Sequence, residues 1–133
     1  MSKFQFPTEE VKNSITKETV KWAEEFGHYL ATDDSDHGGL RPMTTSQLRR
    51  FFGEVKRQQV NGYSQSDFVL LKPKLAYAVG RDKKSGRNTT KIVDFYNVMS
   101  QGMTLVTNVK EFDRFVKVFE AVVAFHKEKC TDK

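Results

Sequence analysis

The sequence has a single cysteine and no long apolar run, and both absences exclude classes of protein. Cys130 is the only thiol among 133 residues, so neither an intramolecular disulfide nor a multi-cysteine metal cluster can form. No stretch of about 18 apolar residues occurs, as a transmembrane helix would require. The first residues lack the basic, apolar and small-residue blocks of a signal peptide. We therefore expect a cytoplasmic protein that does not contact a membrane.

Catalytic and metal-binding motifs are also missing. The sequence has no phosphate-binding Gly-rich loop, no GxSxG and no HExxH, and its three histidines are scattered. Asp34 and Asp36 precede two glycines as in a calcium loop, but Thr45 stands where such a loop needs a bidentate glutamate. Adjacent carboxylates such as Glu24 and Glu25 point about 100° apart on a helix. These patterns predict no enzyme, no cofactor and no metal ion.

The residues that are present favour one folded unit. Hydrophobic residues make up 38% of the chain and include 11 phenylalanines, enough to build a core. The length fits a single domain, so we expect residues 1–133 to form one helical domain. Two polar, turn-rich segments, near 32–43 and 82–91, are expected to be mobile surface loops.

Apolar residues recur at helical spacing along most of the chain. A first helix is predicted from Thr8 to about Ala31, and a second from a capping box at Thr44 to Asn61. A third helix carries Pro73, which either kinks it or lies in the first turn of a helix starting near Lys72. A short fourth helix ending at Gly102 and a long fifth helix from about residue 109 complete the pattern. The fold class is therefore all-α, a bundle of about five helices.

Positive charge is concentrated in the middle of the chain. Residues 44–91 hold 11 basic and 3 acidic groups, a net charge of +8, whereas residues 1–43 have a net charge of −3. Such a concentration favours a polyanionic partner, since neutralised phosphates release counterions. Six cations on the second and third helices are the candidate phosphate contacts, with Lys56 and Arg81 ranked first: Arg49, Arg50, Lys56, Arg57, Lys74 and Arg81. Tyr77 is either a base-stacking ring or, as is more common, a half-buried one.

Three segments carry a resemblance to a known family. They are TTSQLRRFFGEVKR at 44–57, LKPKLAYAVGRD at 71–82 and FDRFVKVFEAVVAFHK at 112–127. In their order and spacing they resemble the small subunit of type III-A CRISPR-Cas effector (Csm) complexes. The resemblance implies a non-catalytic subunit in antiviral defence that stacks in several copies along guide RNA and target RNA, next to the other Csm subunits. The apolar segment 121–125 then offers either core or a contact between copies.

Two other functions fit the same residues. The Asn61-Gly62 turn between two arginine-bearing helices is compatible with a helix-turn-helix DNA-binding regulator, although Pro73 falls in its recognition helix. A helical adaptor whose basic face meets an acidic protein is the second alternative. Sequence-independent binding to RNA that weakens steeply with salt would separate the RNA-binding hypothesis from both.

Overall fold

The computed structural model describes residues 4–130, and these residues form an all-α bundle with one small hairpin. The elements run in chain order as α1 (Thr8–Lys12), α2 (Lys17–Ala31), a 3-10 turn (Ser35–His37), α3 (Thr45–Asn61), α4 (Gln65–Val69), α5 (Leu71–Arg81), β1 (Lys83–Lys84), β2 (Arg87–Asn88), α6 (Ile92–Met103) and α7 (Val109–Lys129). The predicted fold class is confirmed. Within the described range, no helix is long and apolar enough to cross a membrane.

The prediction of one continuous helix over 8–31 is wrong, because the chain breaks at residues 13–16. Thr16 starts a new helix with a reciprocal capping box: its hydroxyl accepts from the Thr19 amide, and the Thr19 hydroxyl accepts from the Thr16 amide. The apolar spacing continues across the break, since Val11 and Phe26 both reach the core. A local side-chain interaction therefore overrides a pattern that periodicity alone reads as continuous.

The second predicted helix is confirmed as α3, including its capping box between Thr44 and Gln47. The third is divided in two. Ser64 caps the short α4, and α5 begins at Leu71, so Pro73 lies in the first turn of α5. Of the two arrangements left open for this proline, the structure shows the second. Its missing amide costs nothing there, because the first amides of a helix have no intrahelical partner.

The segment after α5 contains a hairpin that periodicity did not predict. Lys83 pairs with Asn88 and Lys84 with Arg87 in antiparallel register. Ser85 and Gly86 both have positive φ, 54° and 79°, which matches the two-residue turns that suit the twist of a hairpin. Beyond the hairpin, the chain at Thr89–Lys91 hydrogen-bonds to Arg41, so the two loops expected near 32–43 and 82–91 are joined.

The core lies along α7, which packs against α1, α2 and α3. Its phenylalanines meet others in one connected aromatic cluster: Phe119 lies close to Phe51 and Phe95, and Phe115 lies close to Phe68 and to Phe6, which precedes α1. Within the apolar segment 121–125, Val122 is fully buried and Ala124 is exposed. Helix α7 is therefore the central element of the bundle, and α3 and α5 form one of its outer sides.

Candidate nucleic-acid interface

Helix α3 divides its residues between core and solvent. Leu48, Phe51 and Val55 are buried, whereas Arg49, Arg50 and Arg57 are exposed. Because side chains three and four residues apart lie on one face, Arg50, Glu54 and Arg57 form a single row. This row faces α5.

Helix α5 supplies the opposite side. Its Leu71, Leu75 and Val79 point into the core, and Lys74, Ala78 and Arg81 form a row beside them. Arg81 is the last residue of α5, where a cation interacts favourably with the carbonyl end of the helix.

Between α3 and α5 lies an open groove of about 520 Å³. Cations and apolar atoms both contribute to its walls: it is lined by Ser46, Gln47, Arg50, Phe51, Glu54, Lys74, Leu75, Ala78, Arg81, Asp82, Lys84, Thr89 and Ile92. We call this feature the α3–α5 groove. It brings together three of the six predicted contact residues, Arg50, Lys74 and Arg81.

Glu54 partly neutralises the groove. Its Oε2 accepts hydrogen bonds from Arg57 and from Lys74, the latter at 3.4 Å. The hydrogen bond from Arg57 lowers the pKa of the Glu54 carboxyl, and the charge of Lys74 adds to this effect. Arg57 is thereby held at the groove edge through Glu54. The single negative charge of Glu54 is shared by two cations, Arg57 and Lys74. This side of the molecule therefore keeps a net positive charge.

Asp82, the second acid of the groove, is occupied by hydrogen bonds. Its carboxylate accepts from the amides of Thr89 and Thr90, from both of their hydroxyls and from Asn88. Burial alone would raise the pKa of Asp82, but these donors lower it below its usual value. Asp82 therefore stays ionised and connects α5 to the segment that follows it.

Arg50 and Arg81 form no ion pair with any residue in the part of the chain that the structure describes. The Arg81 guanidinium instead lies 5.9 Å from the centroid of the Tyr77 ring. Tyr77 is 70% exposed, so the alternative of a half-buried ring is wrong. The groove therefore offers two guanidinium groups to a ligand and has an exposed aromatic ring near one end.

Lys56, one of the two leading candidates, does not line the groove. Its Nζ pairs with Glu120 of α7 at 3.0 Å and lies 5.9 Å from the Phe52 ring centroid. Arg49 is exposed and does not line the groove. Seven-residue spacing placed Arg49 and Lys56 in one row, but it did not show that Lys56 pairs with a residue of α7 and does not reach the groove.

Lys84 lines the groove from the hairpin, although it is not one of the six predicted contact residues. The signal was present in the segment Asp82–Arg87, where three basic residues surround a Ser-Gly pair. Ser-Gly between two short polar runs is a turn signal, and a two-residue turn sets the flanking residues side by side. A predicted loop over 82–91 gives these cations no fixed position, so the sequence pattern did not predict them as contacts.

The structure also forms a cluster that spacing alone did not indicate. His28 Nε2 lies 2.8 Å from Glu128 Oε1, and ligand atoms of Glu24, His28 and Glu128 lie within 4.8 Å of one another. Glu24 and His28 are four residues apart on α2, and Glu128 comes from the end of α7. Their donor set could hold a divalent cation, while the His28–Glu128 hydrogen bond already links the two helices.

Asp34, one of the two aspartates that resembled a calcium loop, has another partner. Asp34 Oδ2 accepts from the ammonium of Lys91 at 2.6 Å, and the same ammonium donates to the carbonyl of Tyr29 at 2.8 Å. Lys91 is only 1% exposed. A buried cation of this kind requires a partner, so Asp34 has a structural role in joining the two loops.

Comparison with known proteins identifies one family. The family model described as Csm2 Type III-A matches residues 13–131, which covers most of the chain and all three segments that suggested the resemblance. Searches of curated proteins and of solved structures found no match.

Proposed function

The chain belongs to the Csm2 type III-A family of small subunits of the type III-A CRISPR effector complex, and from this premise we propose that it binds RNA through the α3–α5 groove. It does so without catalysing a reaction, and several copies stack along the guide and target RNA. The single observation that carries this proposal is the meeting of Arg50, Lys74, Arg81 and Lys84 around one groove.

The charge balance of the groove favours phosphate as the ligand. Four cations line it against two carboxylates, Glu54 and Asp82, and both carboxylates are already hydrogen-bonded. Guanidinium groups that no described carboxylate neutralises offer donor geometry that suits phosphate oxygens. Phosphate contacts hold a strand in place without reading its bases, which suits a complex whose sequence choice rests on guide pairing.

An exposed aromatic ring beside the groove adds a sequence-tolerant contact. The exposed ring of Tyr77, with Arg81 beside it, provides a platform on which a base can stack, and every base has a face suitable for stacking. Neither the phosphate contacts nor stacking on Tyr77 discriminates strongly between bases. The expected binding is therefore general for RNA rather than specific to one sequence.

The state of the two groove acids supports a non-catalytic role. Hydrogen bonds lower the pKa of both Glu54 and Asp82, so each stays ionised near neutral pH. A general acid needs a proton to give near the operating pH, and a general base needs an accessible lone pair with a pKa close to that pH. Neither carboxylate has these properties.

Filter binding across a salt titration tests the proposal directly. We expect the purified protein to bind RNA of unrelated sequences with similar affinity, and the affinity to fall steeply as salt rises. A groove variant with Arg50→Gln, Lys74→Gln and Arg81→Gln should bind much more weakly. Its salt slope should fall by about 0.7 for each phosphate of a single strand that the variant no longer neutralises.

A matched variant controls for the loss of net charge. Lys17→Gln, Lys21→Gln and Lys110→Gln remove the same number of charges from exposed residues that lie outside the groove. Equal weakening by the two triple variants would contradict a localised site. Tight binding to a palindromic DNA duplex would instead favour the helix-turn-helix regulator, and salt-insensitive capture of an acidic protein would favour the adaptor.

A further inference from the structure

The β1–β2 hairpin places two cations side by side. Lys84 and Arg87 stand directly opposite each other in the antiparallel register, so their side chains share one face of the hairpin. Both are exposed, and neither forms an ion pair with any residue between 4 and 130. Like charges at directly opposite positions repel each other, so this pair opposes formation of the hairpin.

The surrounding structure holds the hairpin in place despite this repulsion. Asp82 accepts hydrogen bonds from Asn88, Thr89 and Thr90, which join the end of β2 to the end of α5. Asn88 also donates to the carbonyl of Val79 at 3.0 Å. Asp82 is the acidic residue closest in sequence to Lys84 and Arg87. Its carboxylate holds the base of the hairpin and does not neutralise these two cations.

Lys84 lines the α3–α5 groove, so the face that it shares with Arg87 is continuous with the groove. Lys83 is the neighbour of Lys84 in the same strand, and successive side chains of a strand point to opposite faces. Lys83 therefore carries the same charge as Lys84 but lies on the other side of the hairpin.

We propose that the β1–β2 hairpin is a second RNA-contacting element, in which Lys84 and Arg87 together bind the phosphate backbone of the strand that runs through the α3–α5 groove. A phosphate bound between the two cations attracts both of them and offsets their mutual repulsion. The guanidinium of Arg87 donates bidentate hydrogen bonds to the phosphate, and the ammonium of Lys84 donates beside it. This inference rests on the proposed RNA-binding function and adds a contact that extends the groove beyond the helices.

Single substitutions within the hairpin give a face-specific test. Arg87→Gln and Lys83→Gln remove one charge each, from the same hairpin and from exposed positions on its two faces. We expect Arg87→Gln to lower the salt slope of RNA binding by about 0.7, the value for one phosphate of a single strand. Lys83→Gln should change the slope much less. Lys84→Gln should behave as Arg87→Gln does.

The outcomes separate this inference from the proposed function. If the wild-type protein binds RNA but Arg87→Gln and Lys83→Gln have equal effects, the hairpin contact is wrong and the groove proposal stands. If the wild-type protein binds no RNA, both are overturned. Circular dichroism melting of each variant shows whether the fold is retained, and a folded Arg87→Gln variant whose salt slope equals that of the wild type contradicts a direct contact.

Discussion

At the scale of single residues, the neighbours of Glu111 lower the pKa of its carboxyl well below the usual value. Its Oε2 accepts from Lys12 Nζ at 2.9 Å, and its Oε1 accepts from the amide and the hydroxyl of Thr107, each at 2.9 Å. The hydrogen bond from Lys12, together with those from Thr107, lowers the pKa of Glu111 from 4.5 to about 2. The carboxylate thereby joins α1 to the start of α7.

This shift predicts a pH dependence of stability. A carboxyl whose pKa is lower in the folded state stabilises the protein above its unfolded pKa, and the contribution is lost as pH falls through the folded value. For Glu111 this range is about 4.5 to 2. We expect the difference in unfolding free energy between the wild type and Glu111→Gln to be full near pH 6 and to shrink through that range.

Urea denaturation at a series of pH values measures this difference. Glu25→Gln is the matched control, because Glu25 is exposed and forms no ion pair with another described residue. A difference for Glu111→Gln that stays constant from about pH 5 to about pH 2 would contradict the predicted role of this carboxylate.

Helical spacing predicted some residues of the candidate site correctly and misplaced others. The positions of Arg50, Lys74 and Arg81 on helix surfaces followed from spacing, and the structure brings all three to one groove. Spacing did not reveal that Lys56 pairs with Glu120, since the two residues are 64 positions apart in sequence. Which cations have protein partners depends on contacts between helices, and periodicity carries no information on these contacts.

At the scale of elements, α2 and α7 share the most extensive contact of any two helices in residues 4–130. A methyl group added at Gly27 would lie 2.8 Å from the Val122 carbonyl oxygen and 2.9 Å from the His126 amide nitrogen. Both are backbone atoms, so no side-chain rotation can relieve the contact. His126 Nε2 also lies 2.7 Å from the Met43 carbonyl, which ties the end of α7 to the segment before α3.

Two glycine substitutions should therefore act in opposite directions. Gly27→Ala forces α2 away from α7, and we expect it to lower the free energy of unfolding by about 1–3 kcal/mol. Gly53→Ala lies within α3, where an added methyl meets nothing within 4 Å. Because alanine favours a helix more than glycine does, Gly53→Ala should raise the free energy of unfolding by about 0.5–1 kcal/mol.

Chemical denaturation of both variants under the same conditions tests the pair. Stabilisation by both substitutions would show that α2 and α7 can separate without loss of packing, contrary to the close approach. Destabilisation by Gly53→Ala would show that the added methyl meets other atoms of the protein, contrary to the open space around Gly53.

At the scale of the whole molecule, the proposed function requires several copies on one RNA. Helix α5, which forms one side of the groove, has 11 residues and is about 16 Å long. One chain therefore contacts only a few nucleotides, and a longer RNA offers room for more chains. The net charges of −3 on residues 1–43 and +8 on residues 44–91 are opposite in sign, which favours contact between neighbouring copies.

Stacking predicts that the number of bound chains increases with RNA length. We expect sedimentation velocity to show larger complexes on a long RNA than on a short RNA of the same composition. The groove variant with Arg50, Lys74 and Arg81 replaced by glutamine should form neither complex. One chain per RNA at both lengths would contradict stacking while leaving RNA binding intact.

The sequence by itself determined the all-α class, the capping box of α3 and the positive charge of the middle segment. These features depend on residues close together in the chain, through helical periodicity, capping hydrogen bonds and local charge. Only the tertiary structure decided that α3 and α5 enclose a groove, that Lys84 of the hairpin lines this groove, and that Asp34 neutralises the buried Lys91. Each of these depends on contacts between segments, whose geometry is set by packing of the shared core and not by local spacing.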